Sequence, residues 1–400
     1  MTNWPVNIVT AFGRGETLAL ALQENGFDVH VLDFTNALGS EWNQGPGPFP
    51  IAAQTHLPAQ RQLLEEVKPL ERGITFWLKN GPLELGGKFA TFFENHAPAV
   101  EHLKKDVRSN DFESDWLRRF MKIWTSPFNT DSWKKTSDSS FPYADMVGLI
   151  PLSKESFVIS YDRYQTLGYK FSNCRHINDV QTEKGRITEL EVDTGRAVAL
   201  ESPQWIWCLS SEESAKVGAD VSNKLFSNAI RKPEWRWLCF QGNCERGTWS
   251  QGFPEYVVVI DDIHLPWNYT NVILLRWTET DVFKAWIKVP DASFMETEKR
   301  LEWAQDIESK LSARLSLANW RVDAVNWGAC PHSPVFASSA RDESPPSWKN
   351  WQWIAPEATA RLDLSSRLEL EAAAYHWLVA WRNEQIKKQG ALRDPAVHAP

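Results

Sequence analysis

The chain is 400 residues long, with 42% hydrophobic and 24% charged residues and a formal net charge of −8. Such a length suits two domains and a substantial core, and the composition is that of a globular protein rather than a disordered one. The negative balance argues against a general affinity for nucleic acid or acidic membranes; the pairs Lys104-Lys105 and Lys387-Lys388 read as solvated helix faces.

No apolar run approaches the ~20 residues that span a bilayer. The first residues lack the charged and apolar regions of a signal peptide, so the expected setting is cytoplasmic, with no transmembrane segment. Cys174, Cys208, Cys239, Cys244 and Cys330 are irregularly spaced, as suits reduced thiols. Cys239 and Cys244 form a lone C-x4-C without the second pair that a zinc site needs, so no metal is expected. The 22 tryptophans are spread from Trp4 to Trp381, which predicts core and domain-interface roles and a few pocket positions, not one aromatic cage.

In chain order, the most informative stretch comes first. Val6, Ile8 and Val9 predict a buried strand that ends in a glycine-containing turn. Leu18, Ala19, Ala21 and Leu22 follow a helical rhythm, and Gly26 marks the helix stop. Val29, Val31 and Leu32 predict a second strand that ends in the acid Asp33. A β-α-β unit with a closing acid is the pattern of a dinucleotide-binding unit, in which the acid grips a ribose hydroxyl.

This register resembles the start of FAD-dependent amine oxidases, phytoene desaturases and protoporphyrinogen oxidases. The resemblance places the three fingerprint glycines on Thr10, Phe12 and Gly15, of which only Gly15 is glycine. It implies cofactor contacts at Ala11, Phe12, Gly13, Gly15 and Asp33. The first glycine of such a fingerprint permits a tight turn and the second lets the backbone approach the pyrophosphate, so Thr10 and Phe12 damage both functions. A one-residue shift to Gly13 and Gly15 would restore G-x-G only if the loop rearranged ahead of the helix.

Further along, Leu38-Gly39-Ser40-Glu41-Trp42 lacks the second glycine and the phosphate-facing arginine of those families. Gly45 to Phe49 resembles their G-P segment under the flavin ring, and reads equally as a Pro/Gly loop. Asn80-Gly81 between apolar runs predicts a hairpin, with Lys79 exposed. Phe112, Trp116, Phe120 and Trp124 predict the core stripe of a helix. A helix ending near Gly168 precedes strands at 177–180, 187–192 and 197–200, then a fully buried strand at 205–209. The resemblance places main chain around Ile177 against the adenine.

Strands are predicted at 237–240, 256–260, 272–277 and 282–289, followed by a helix with Leu301, Ala304, Ile307, Leu311 and Leu315 on one face. Asn326 to Phe336 resembles the segment that returns to the cofactor domain; its His332 reads either as a histidine near a flavin site or as a satisfied structural histidine. The final strand, loop and helix carry I-A-P-E where the families carry L-A-G-D: Glu357 keeps the acid, while Pro356 removes a backbone donor. Ser366 and Glu369 have capping-box spacing.

The expected fold is α/β: a discontinuous Rossmann-like FAD/NAD(P)-binding domain (1–70, 151–225 and 330–400) and an α+β substrate domain on a mixed or antiparallel sheet (71–150 and 226–329). The resemblance implies an FAD-dependent amine-oxidase-like oxidoreductase that passes hydride from a small organic substrate to flavin. The damaged fingerprint leaves a second reading open, a pseudoenzyme of the same fold that has lost normal FAD binding and serves as a binding or scaffold module for a protein partner. No elbow serine, metalloprotease helix, P-loop or C-x-x-C motif occurs, and no side chain stands out as catalytic.

Overall fold

The computed structural model describes residues 4–39, 49–52, 57–60, 74–79, 81–84, 146–150, 170–226, 233–245, 256–262, 265–277, 281–315, 318–329, 348–355 and 364–393. Strand β1 (Pro5–Thr10), helix α1 (Glu16–Glu24) and strand β2 (Asp28–Asp33) form the β-α-β unit expected from the sequence. Gly26, at φ 77°, ends α1 as its position suggested. A short turn of helix, α2 (Thr35–Leu38), follows β2 directly.

The central sheet adds β7 (Lys170–Asn173), β11 (Trp205–Trp207) and β17 (Trp351–Trp353), in the order β17-β11-β1-β2-β7. All four pairings are parallel. Parallel sheets need cover on both faces, and the alternation along β1 supplies two apolar faces. Val6 and Ile8 pack with Leu18 and Leu22 of α1 and with Leu378 of the C-terminal helix α6 (Leu364–Arg393). Val9, with Trp205 and Trp207, faces the other way. There it meets Ile177, Leu190 and Val192 of an antiparallel meander, β8 (His176–Glu183), β9 (Arg186–Asp193) and β10 (Ala197–Glu201). Helices α3 (Ser211–Val217) and α4 (Ala219–Phe226) complete this layer. Trp207 Nε1 donates to Ser214 Oγ at 2.9 Å and Trp353 Nε1 to the Leu209 carbonyl at 2.9 Å, so two deeply placed indoles are satisfied.

A second, mixed sheet has seven strands, ordered β16-β12-β15-β14-β13-β4-β5. These are β16 (Ala318–Ala329), β12 (Trp235–Glu245), β15 (Val282–Pro290), β14 (Val272–Trp277), β13 (Tyr256–Ile260), β4 (Ile74–Leu78) and β5 (Gly81–Glu84). The β4–β5 pair is the hairpin that Asn80-Gly81 predicted, and Lys79 is exposed. Helix α5 (Thr297–Arg314) covers one face. A separate ribbon pairs β3 (Phe49–Ala52) with β6 (Met146–Ile150).

Two local expectations need correction. On α5, Leu301 is 48% exposed, and Trp303 joins Ala304, Ile307 and Leu311 in the buried stripe, because Leu301 lies at the flank of that helical track. Asn326 to Ala329, where the expected return segment begins, end the edge strand β16, and Trp327 to Ala329 pair with β12; the rest of that segment, with His332, lies outside the described residues. Helix α6 starts at Leu364, which puts Ser366 inside it and not at its cap. The aromatic stripe at 112–124, the helix end at Gly168, residues 40–48 and Pro356-Glu357 also lie outside the described residues. Among the described residues no helix is long and apolar enough to cross a membrane.

Candidate functional site

Strands β2 and β11 flank β1 on opposite sides, so the chain order reverses beside β1. Open parallel sheets bind ligands in the crevice at the carboxyl ends of such strands. Here that position is bounded by the β1–α1 turn, the end of β2, and the start of α3 after β11.

The turn shows how the chain manages without two fingerprint glycines. Phe12, Gly13 and Gly15 all take positive φ, at 56°, 69° and 77°. A left-handed Phe12 is strained, since only glycine enters that region freely. Helix α1 begins after Gly15, so the loop has rearranged ahead of the helix. Thr10, in the first glycine's place, donates its hydroxyl to the Arg14 carbonyl and ties the two ends of the turn. Gly15 is needed for packing as well: a Cβ there would lie 2.9 Å from Cys208 Sγ and 3.3 Å from Ile8.

The amides of the turn have internal partners. Phe12 N–H donates to Thr35 Oγ1 at 2.7 Å, and that hydroxyl donates to Asp33 Oδ1 at 2.8 Å. Arg14 N–H donates to the Ala11 carbonyl at 3.2 Å. Gly15 N–H donates to Glu371 Oε1 at 2.9 Å; Leu18 N–H (3.3 Å) and the Thr17 hydroxyl donate to Glu371 Oε2. The amino end of α1 is thus capped by a carboxylate of α6, a favourable partner for the positive end of a helix dipole. The Phe12 ring is buried in the apolar layer that holds Ala11 and Ile177.

Arg14 brings a cation to this position, and it is 7% exposed. Its Nε donates to the Ala11 carbonyl at 3.1 Å, and Nη2 donates to Glu213 Oε2 at 2.7 Å. Glu213 closes the capping box of α3 with Ser210. Nη1 of Arg14 is buried and has no hydrogen-bond partner among the described residues. The neighbouring Glu212 turns outward to Arg236 of β12, whose Nη2 lies 2.7 Å from Glu212 and 2.6 Å from Asp291. One turn of α3 therefore ties this position to the seven-stranded sheet.

Asp33 ends β2 beside this group. Burial pushes its pKa up from 3.8 to about 6, against the lowering effect of the Thr35 hydrogen bonds and of Arg14. Because the folded value is raised, the folded protein holds the proton between pH 4 and 6 while the unfolded chain releases it. Stability from this group is therefore greatest below pH 4 and is lost as the pH rises through about 6. Asp33→Asn removes the buried charge and keeps an acceptor for Thr35. The variant should match the parent near pH 4 and gain about 2 kcal/mol over it at pH 7, read from paired urea unfolding curves across that range.

Of the residues that the sequence nominated, Ala11, Phe12, Gly13, Gly15 and Asp33 stand together at the end of β1 and β2. Ile177 stands apart on β8, paired with Val192, in the same buried layer as Phe12. Glu357 is outside the described residues. Sequence reasoning missed Arg14, Thr35, Glu213 and Glu371. The Ser210-x-x-Glu213 spacing after an apolar strand was a visible capping-box signal; the others carried none.

The residues fit an adenine dinucleotide in one respect, the unmatched buried guanidinium nitrogen beside an acid at the end of β2. Its phosphate charge would have to be met mainly by that side chain, since the amides of Phe12, Arg14 and Gly15 are engaged within the protein.

No family model matches the chain, and no curated protein matches it. Solved structures do. A triple mutant of the flavin-dependent brominase Bmp2 is 10% identical over 93% of this chain and 79% of its own, with a TM-score of 0.50. The myxobacterial chondrochloren halogenase CndH, an FAD-dependent halogenase, is 13% identical over 93% of this chain and 72% of its own, with a TM-score of 0.48. The likeness to the brominase shows a shared fold, α/β with a Rossmann-like parallel sheet beside a second, mixed sheet. It does not single out the amine-oxidase, phytoene-desaturase or protoporphyrinogen-oxidase branch that the first residues resemble.

Proposed function

We propose that the chain is an FAD-dependent oxidoreductase acting on a small organic molecule. The observation that carries this reading is the end of β1, where the buried Arg14 guanidinium has an unmatched nitrogen and Asp33 closes the neighbouring β2. Bound FAD would supply the hydride acceptor for oxidation of a C–H or C–N bond, as the amine-oxidase resemblance suggests. The protein's part is to hold and orient. Asp33 would accept a hydrogen bond from a ribose hydroxyl, as acids in this position do. Arg14 would offset phosphate charge, with Ala11, Gly13 and Gly15 shaping the turn. Ile177 and Glu357 complete the proposed contacts, and the seven-stranded sheet would form the substrate side. A discontinuous cofactor domain with the boundaries expected from the sequence belongs to the same proposal, as does a cytoplasmic setting, in which the four described, buried cysteines stay out of disulfides.

A second reading, a pseudoenzyme serving as a scaffold for a protein partner, is favoured by the turn itself. The Phe12 ring is buried where the backbone would approach a pyrophosphate, and the neighbouring amides have internal acceptors. One spectrum separates the two. As purified, or after addition of FAD and gel filtration, the protein should show the visible absorbance of an oxidised flavin. A colourless protein that takes up no FAD sinks the first reading and leaves the second.

A further inference from the structure

We propose that Arg14 is the phosphate-binding cation of this protein, supplied from inside the β1–α1 turn and held in place by Glu213. The inference rests on the flavin reading above and adds the means by which the diphosphate is gripped. The stretch after β2 offers no cation to a phosphate, since residues 34–48 contain neither Arg nor Lys. Arg14 stands in the β1–α1 turn, whose Phe12 amide bonds Thr35 of that stretch. Its side chain reaches from the end of β1 to Glu213 on the helix after β11, the neighbouring strand of the sheet.

Three features favour a grip. A guanidinium offers five N–H donors in a fixed plane, and one whole nitrogen here has no acceptor among the described residues. A buried donor left unmatched is costly, so a buried Nη1 marks a place for an acceptor. The side chain is also fixed beforehand. Nε is held by the Ala11 carbonyl, and Glu213 is itself fixed by its hydrogen bonds with Ser210. A donor fixed in this way loses little freedom when it meets an anion. The main chain of the turn cannot serve instead without giving up Thr35, Ala11 or Glu371 as acceptors.

The test is equilibrium binding of FAD, ADP and riboflavin to the full chain and to Arg14→Met, by fluorescence titration. Wild type should bind FAD and ADP. Arg14→Met should weaken both by roughly tenfold or more, the scale of a lost charge-assisted contact, and leave riboflavin, which has no diphosphate, unchanged. Because Arg14→Met leaves Glu213 buried without its partner, the double variant Arg14→Met/Glu213→Gln is measured beside it; it removes both charges and keeps an acceptor for the Ser210 amide. Both variants should show the same loss. FAD binding by wild type with equal or tighter binding by the variants overturns the proposal, and tighter binding would make Arg14 a plug at this position. Absence of FAD and ADP binding by wild type overturns the flavin reading, and the Arg14 grip with it.

Discussion

Glu371→Ala is expected to destabilise the protein by about 3–5 kcal/mol, the cost of stripping a buried charged acceptor from its donors. Glu371 is fully buried, and its carboxylate receives the Gly15 and Leu18 amides and the Thr17 hydroxyl. Gly15, the N-cap of α1, has no side chain to accept these bonds, so the cap is borrowed from α6, more than 350 residues away. Alanine would leave these donors in a space that water does not readily enter. Glu371→Gln keeps an acceptor oxygen and loses the charge at the helix end, so it should cost less, about 1–2 kcal/mol. Urea unfolding gives the ordering, and hydrogen exchange at the α1 amides locates the loss. A cost below about 1 kcal/mol for the alanine variant would contradict the borrowed cap.

That contact shows where the sequence stops being legible. The β-α-β unit could be read because each element carries its own signal: apolar strands, a helical rhythm, Gly26 at a left-handed position. Strands β13 and β14 are legible to the residue for the same reason, since continuous apolar runs such as Tyr256–Ile260 admit few alternatives. Glu371 has no local signal. In Leu368-Glu369-Leu370-Glu371 it looks like one of two solvated acids, and only the approach of α1 to α6 makes it a cap. Arg14 reads as a turn arginine in solvent until β11 brings Glu213 beside β1. Which families of this fold the chain stands nearest is illegible for a related reason. A parallel sheet beginning with β-α-β and covered by a meander is a property of the fold, and a glycine fingerprint shared by several families could not tell them apart even where Thr10 and Phe12 had kept it.

The order of the seven-stranded sheet was equally hidden, and Gly242 offers the sharpest test of it. Gly242 lies in β12 opposite Phe283 of β15 on one side and Val322 of β16 on the other. A Cβ at this position would fall 2.3 Å from Phe283 Cζ and 2.7 Å from the Arg321 carbonyl oxygen. Neither neighbour can move cheaply. Phe283 is fully buried, with its ring 5.1 Å from that of Trp320 and 6.2 Å from that of Trp277, and the Arg321 oxygen is main chain of the adjoining strand. Gly242→Ala should therefore cost about 3 kcal/mol, at the upper end for overpacking by one methyl group. Phe283→Leu alone should also destabilise, by lost burial and a partly filled cavity. If the ring over Gly242 is the obstacle, the double variant should be less damaged than the sum of the two singles, with a coupling of at least about 1 kcal/mol. Additive costs, or an alanine variant as stable as the parent, would place β12 and β15 in a different register from the one that sets Gly242 against Phe283.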